Sequence, residues 1–185
     1  MSVRAFVALP CPAGLREAIA DPLPAWRGID ARVAWVDPAS AHLTLRFLGE
    51  SDPARLEKLQ LRLGEVAASA EPILAKPVAN GAFPGCGRPR VLWLAVESGG
   101  AIERLAEDVE RAARDARFDP EERRFTPHVT LGRVRGRRGA EEAARAVRGW
   151  APSAPAEPIS DLVLFRSELH PAGARHIPLA CYPIG

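Results

Sequence analysis

Lysine is almost missing from this chain. Lys58 and Lys76 are the only two among 25 basic residues, and the remaining 23 are arginines. A GC-rich coding sequence accounts for most of that bias, together with the many Ala, Gly and Pro. What remains is a set of cations that grip phosphate as a fork. Cysteine is scarce: Cys11, Cys86 and Cys181 are scattered, odd in number and form no Cys-x-x-Cys pair. That pattern supports neither a disulfide scaffold nor a zinc knuckle. The formal net charge of +2 is too small to mark a nucleic-acid binder by charge alone. No apolar run approaches the roughly 18–20 residues that a membrane helix needs. The first ten residues are too short and too strand-like for a secretory signal. The expectation is a soluble, cytoplasmic protein without a membrane partner. Its 185 residues, 47% hydrophobic and 26% charged, have globular composition and read as a single unit over 1–185.

Strands and helices alternate along the chain. Val3–Leu9 reads as a strand ended by Pro10 and Pro12. Residues 13–27 look helical, with Pro22 and Pro24 as interruptions. Val33–Val36 and His42–Leu48 are strands, the second with the polar–apolar alternation of a half-buried one. Asp52 and Pro53 open a helix to about Ala70, with Leu56, Leu59, Leu63 and Val66 on its apolar face. The second half repeats the plan. It has strands at 73–82 and 90–96, and a helix at 101–116 with Ile102, Leu105, Val109 and Ala113 turned inward. A strand from Pro127 to Val134 comes next, then a helix from Ala140 to Trp150 and closing strands near 160–169 and 174–182. Several connections between strands are short enough for antiparallel pairing. The class is α+β: two pseudo-symmetric lobes of antiparallel sheet, helices on the outside and a cleft between them.

One tetrapeptide pattern occurs twice, as His42-Leu43-Thr44-Leu45 and His128-Val129-Thr130-Leu131. The offset of 86 residues is near half the chain, as an internal duplication would give. The chain has only three threonines and four histidines. From composition, a histidine is followed by x-Thr-Leu with a chance of roughly 0.002, and two such hits come to on the order of 10⁻⁵. On a strand, residues i and i+2 share a face, so each motif sets an imidazole beside a hydroxyl while the intervening Leu43 and Val129 face a core. Two imidazoles across a cleft suit a reaction that needs a general base and a general acid near neutral pH. Two hydroxyls can donate to the non-bridging oxygens of a phosphate held between them.

With these motifs the sequence resembles the two-histidine (2H) phosphoesterase superfamily, and within it the RNA 2′,3′-cyclic phosphodiesterases also called 2′-5′ RNA ligases. The resemblance extends to Arg4-Ala5-Phe6-Val7-Ala8, Trp35-Val36, Phe83-Pro84, Pro89-Arg90-Val91-Leu92-Trp93, Phe125-Thr126-Pro127 and Leu162 to Ser167. It implies hydrolysis of a terminal 2′,3′-cyclic phosphate on RNA to a 2′-phosphomonoester, with 2′-5′ ligation as the reverse. No metal and no cofactor are expected. By the same resemblance His42 is the proton donor, His128 the proton acceptor, and Thr44 and Thr130 hold the phosphate.

Arg133 and Phe47 each lie five residues past a motif histidine. Such odd spacing turns them away on an ideal strand, and a bulge at Gly132 would re-aim Arg133 toward the substrate. Both are candidate substrate contacts, Arg133 for phosphate or base and Phe47 as a stacking surface. His170 and His176 lack a following x-Thr and read as surface residues. Arg135, Arg137 and Arg138 form a basic loop where an RNA strand could leave the cleft. Three rival readings stay open. A metal hydrolase lacks His-Glu-x-x-His or Cys-x-x-Cys spacing. A non-catalytic RNA-end-binding module would keep its affinity without the histidines. A phosphodiesterase for a small cyclic nucleotide or for 2′-5′ oligoadenylate carries the same motifs, because they read only the phosphate. The protein is expected to act as a monomer.

Overall fold

Residues 2–168 and 174–185 are described by a computed structural model of the protein. Among these residues nine strands run β1 Val3–Pro10, β2 Val33–Trp35, β3 His42–Ser51, β4 Ile73–Phe83, β5 Val91–Glu97, β6 His128–Val134, β7 Glu157–Ile159, β8 Asp161–Glu168 and β9 Arg175–Pro183. Five α-helices accompany them: α1 Ala13–Ala20, α2 Leu23–Arg27, α3 Pro53–Ser69, α4 Ala101–Asp115 and α5 Ala140–Gly149. The strands pair antiparallel throughout, in the order β7-β4-β5-β6-β3-β1-β8-β9, with β2 added to β6.

That order reads as two mirrored sets of four, β6-β5-β4-β7 and β3-β1-β8-β9, meeting at one junction. The junction is a single ladder pair, Leu43 opposite Val129. Both are 1% exposed, so the seam between the halves is anchored in the core while the histidines on either side point the other way. The α+β class and the lobed antiparallel sheet are as the sequence reads.

Local chemistry explains the elements that hold the seam. Asp52 caps α3 by accepting the Ala54 N–H at 2.7 Å, and Pro53 sits where its missing N–H costs nothing. Leu56, Leu59 and Leu63 are buried along α3, each contributing roughly 1.5–3 kcal/mol. The fourth core position is Ala67, with Val66 only half-buried, because a step of four continues the 56–59–63 face better than a step of three. On α4, Ile102, Leu105, Val109 and Ala113 are buried as their spacing predicts. Pro22 and Pro24 divide 13–27 into α1 and α2. β7 escapes a sequence reading because Pro158 sits in a proline-rich stretch. As an edge strand beside β4 it tolerates that proline.

Candidate active site

β3 and β6 carry the two repeated motifs and lie side by side at the centre of the sheet. Extending the antiparallel register by one residue on each side of Leu43–Val129 sets His42 across from Thr130 and Thr44 across from His128. All four side chains are half-buried, whereas Leu43, Leu45, Val129 and Leu131 are buried behind them.

Each imidazole is held in the same way. His42 Nδ1 is 2.8 Å from the Ser40 carbonyl oxygen, and His128 Nδ1 is 2.7 Å from that of Thr126. A carbonyl oxygen only accepts, so Nδ1 carries the proton in both rings and Nε2 is left to exchange one. The partner is the residue two before the histidine in each case, which makes this support part of the repeat.

The strands also share an irregularity that a reading of ideal strands misses. On β3 the register runs Ala8–Thr44 and then Val7–Arg46, leaving Leu45 as an extra residue. On β6 it runs Trp93–Thr130 and then Leu92–Gly132, leaving Leu131 extra. A bulge at the same place in both motifs reverses the parity beyond it. Arg133 therefore shares the face of His128 and Thr130, and Phe47 that of His42 and Thr44. The odd spacing that turns them away on an ideal strand is corrected by these bulges, with Leu131 rather than Gly132 as the inserted residue. Phe47 is 56% exposed, with its ring 6.1 Å from Phe6.

Gly132 serves a different purpose. A Cβ there would stand 2.8 Å from Val33 Cγ1 and 2.9 Å from Trp35 Cε3, so the glycine lets β2 lie close against β6. The matching residue on β3 is Arg46, which is buried toward the opposite face. Its Nε lies 2.6 Å from Glu110 Oε2, Nη1 lies 3.4 Å from Glu121, and Nη2 donates to the Asp119 carbonyl. This network ties the segment after α4, and α4 itself, to the back of the first motif.

The two histidines have unlike surroundings. His42 lies in an aromatic nest, 5.1 Å from Phe6 and 6.1 Å from Phe165 between ring centres. His176 also stands edge-on to His42 at 5.1 Å, and edge-on to Phe6 at 4.9 Å. Its Nδ1 is buried with no hydrogen-bond partner among the described residues. His176 is thus half-buried in the nest, not the surface residue its sequence context suggests; β9 brings it there by pairing it with Ser167 of β8. His170 lies outside the described residues. Burial, and then the nearby charges of His176 and Arg133, lower His42 to about 4 despite its carbonyl partner. Burial and Arg133 lower His176 as well. Arg133 thus puts its charge within reach of both rings.

Among the described residues His128 has one aromatic neighbour of its own. Phe83, which stacks on Trp93 at 5.1 Å, stands edge-on to it at 5.5 Å. Trp93 in turn lies over Gly81, where a Cβ would come within 2.9 Å of the indole. Cys11 is buried and its thiol is pushed up to about 12; such a thiol is no nucleophile. No helix among the described residues is long and apolar enough to cross a membrane.

Comparisons with known proteins bear on the family and the fold. The family model of the 2′-5′ RNA ligase superfamily matches residues 15–170. The chain is 31% identical over 174 residues to the RNA 2′,3′-cyclic phosphodiesterase of Methanothermobacter thermautotrophicus, covering 94% of each chain. It is 34% identical over 172 residues to that of Archaeoglobus fulgidus, covering 92% of this chain and 94% of the relative. Among solved structures, TT0787 of Thermus thermophilus aligns with a TM-score of 0.78 and 27% identity over 98% of this chain and 97% of that one. E. coli LigT complexed with 3′-AMP aligns with a TM-score of 0.74 and 24% identity over 100% and 99%, a likeness of fold. The chain belongs to the 2′-5′ RNA ligase superfamily.

Proposed function

We propose that this protein hydrolyses the 2′,3′-cyclic phosphate at an RNA end to a 2′-phosphomonoester, as an RNA 2′,3′-cyclic phosphodiesterase. The observation that carries the reading is the duplicated strand: in each copy an imidazole is fixed through Nδ1, a hydroxyl lies two residues on, and the copies adjoin antiparallel. In-line displacement at phosphorus needs a base and an acid on opposite sides of the phosphate, and two facing copies of one strand supply them.

In this mechanism neutral His128 takes a proton from water through Nε2 as the water oxygen bonds to phosphorus. His42, protonated, gives its Nε2 proton to the 3′ oxygen as the P–O3′ bond breaks. Thr44 and Thr130 donate hydrogen bonds to the non-bridging oxygens, and Arg133 neutralises charge that builds there. Phe47 offers its exposed ring to the terminal base. The free protein holds His42 neutral at pH 7. A phosphate anion seated beside it favours the charged imidazole and prepares it to donate. That same low value favours a second reading, with His42 as acceptor and His128 as donor; running the reaction backwards exchanges the roles in any case.

The protein is proposed to act as a monomer in the cytoplasm, which sedimentation and cell fractionation check. The deciding experiment for the activity is ³¹P NMR of a short RNA ending in a cyclic phosphate, incubated with the protein and excess EDTA. A 2′-phosphate resonance supports the reading. A 3′-phosphate, no conversion, or conversion abolished by the chelator contradicts it.

A further inference from the structure

Three arginines that the reaction leaves unused converge away from the histidines. Arg88, Arg90 and Arg137 line one cavity of about 380 Å³, at the end of the ladder between β5 and β6. Glu141 is the single carboxylate among the described residues on its wall, so the cavity carries a surplus of positive charge. Some arginines elsewhere on the surface are matched by acids, as Arg62 by Glu65, Arg104 by Glu71 and Arg138 by Asp30; what sets this cavity apart is that three guanidinium-bearing residues share one wall. Among the described residues no carboxylate lies within 4.0 Å of the guanidinium groups of Arg88, Arg90 or Arg137. Of the basic loop singled out in the sequence, Arg138 is thus already paired and Arg137 is the member that faces the cavity.

The cavity is linked to the candidate active site through a neighbouring hollow that shares two of its arginines. Arg88 and Arg90 line this hollow with Phe83, Pro84 and Val91. Phe83, 38% exposed, is the ring that stands edge-on to His128. Register puts Phe83, Val91 and Arg133 in one row across β4, β5 and β6. A path therefore runs from His128 over an exposed aromatic ring to three unpaired guanidinium groups. Alternating stacking surface and phosphate fork is how a single-stranded nucleic acid is held without regard to sequence.

We propose that the Arg88–Arg90–Arg137 cavity is a second phosphate subsite. It holds the RNA strand on the 5′ side of the reacting end, with Phe83 stacking a base between the two phosphates. This rests on the proposed RNA substrate and adds to it a reason for preferring a strand over a mononucleotide.

The test compares wild type with the double variant R88Q/R137Q, both side chains being exposed. Substrates are a ten-nucleotide RNA ending in a 2′,3′-cyclic phosphate and adenosine 2′,3′-cyclic phosphate alone. The variant is expected to raise KM for the decamer about tenfold at low salt, to reduce the salt slope by about one to two, and to leave kcat and the mononucleotide unchanged. An equal loss on both substrates, or no loss on the decamer, overturns the subsite. Should wild type turn over neither substrate, the cyclic phosphodiesterase reading fails by itself. Fluorescence anisotropy with a labelled decamer bearing hydroxyl ends then decides the subsite. About tenfold weaker binding by the variant supports it, and equal binding overturns it.

Discussion

β3 and β6 share a plan through their motifs and diverge immediately beyond them. Over the first four motif residues they match: histidine braced by the carbonyl two residues back, a core residue, threonine, then a leucine bulge. At the next two positions they part. β3 continues with Arg46, buried in an ion network, and Phe47, an exposed ring. β6 continues with Gly132, where β2 passes close, and Arg133, a cation whose charge reaches His42 and His176. The shared part is what acid–base chemistry on one phosphorus needs from both sides. The divergent part polarises the cleft, β3 contributing an exposed aromatic ring and β6 a cation whose charge falls on His42 and His176. A symmetric frame thereby acquires a preferred orientation for a substrate that has a base at one end and a phosphate at the other.

The largest effect comes from removing the shared part. His42→Ala and His128→Ala should each lower kcat by about 10²–10⁴-fold with little change in KM. The double variant should be far less impaired than the product of the two, since the groups act as a unit. Steady-state kinetics on an RNA ending in a cyclic phosphate measures this, and a mild effect of either substitution would break the equivalence of the strands.

The divergent positions separate stability from activity. Arg46→Ala strands Glu110 without its partner and should cost about 3–5 kcal/mol in urea unfolding. Gly132→Ala forces a methyl against Val33 and Trp35 and should cost about 1–3 kcal/mol. Arg133→Met should lower kcat/KM by about 10–100-fold while unfolding stays near wild type. Phe47→Ala should raise KM by about tenfold with kcat retained. If Arg133→Met and Phe47→Ala gave the same kinetic signature, the polarised cleft would be wrong.

The smallest effect is one of pH. Folding holds His42 at about 4, below the ordinary imidazole value of 6.5, so below pH 6.5 the unfolded chain binds a proton that the native state refuses. Stability due to this residue is complete above pH 6.5 and is lost as pH falls to about 4, on the order of 2–3 kcal/mol. His42→Gln should reduce the slope of the unfolding free energy over that window, leaving the part due to His176, whose imidazole is lowered by burial and by Arg133. An undiminished wild-type slope in His42→Gln would contradict the burial of His42 in the aromatic nest as a cause.

Much of this was legible in the chain, and what was hidden shares one physical cause. Asp52-Pro53, the Leu56–Leu59–Leu63 stripe and the two His-x-Thr-Leu segments carry their structure in local spacing. The faces of Phe47 and Arg133 depend on bulges, and a bulge is a relation between a strand and its neighbour. Each motif repeats a leucine at the inserted position, which was the available hint. His176 gave no hint: its place beside His42 depends on β9 pairing with β8, β8 with β1 and β1 with β3. The arginines of the cavity likewise come from two loops, 45 or more residues apart, that meet only in the fold.

The division of labour between the imidazoles is tested most directly by a substrate whose leaving group needs no proton. An RNA ending in a 2′,3′-cyclic phosphorothiolate, with sulfur in place of the 3′ oxygen, expels a thiolate unaided. On it His42→Ala should recover to within about tenfold of wild type, its general-acid contribution no longer being required, while His128→Ala stays impaired. Recovery of His128→Ala instead would exchange the two roles, and no recovery of either would contradict paired acid–base catalysis across the seam.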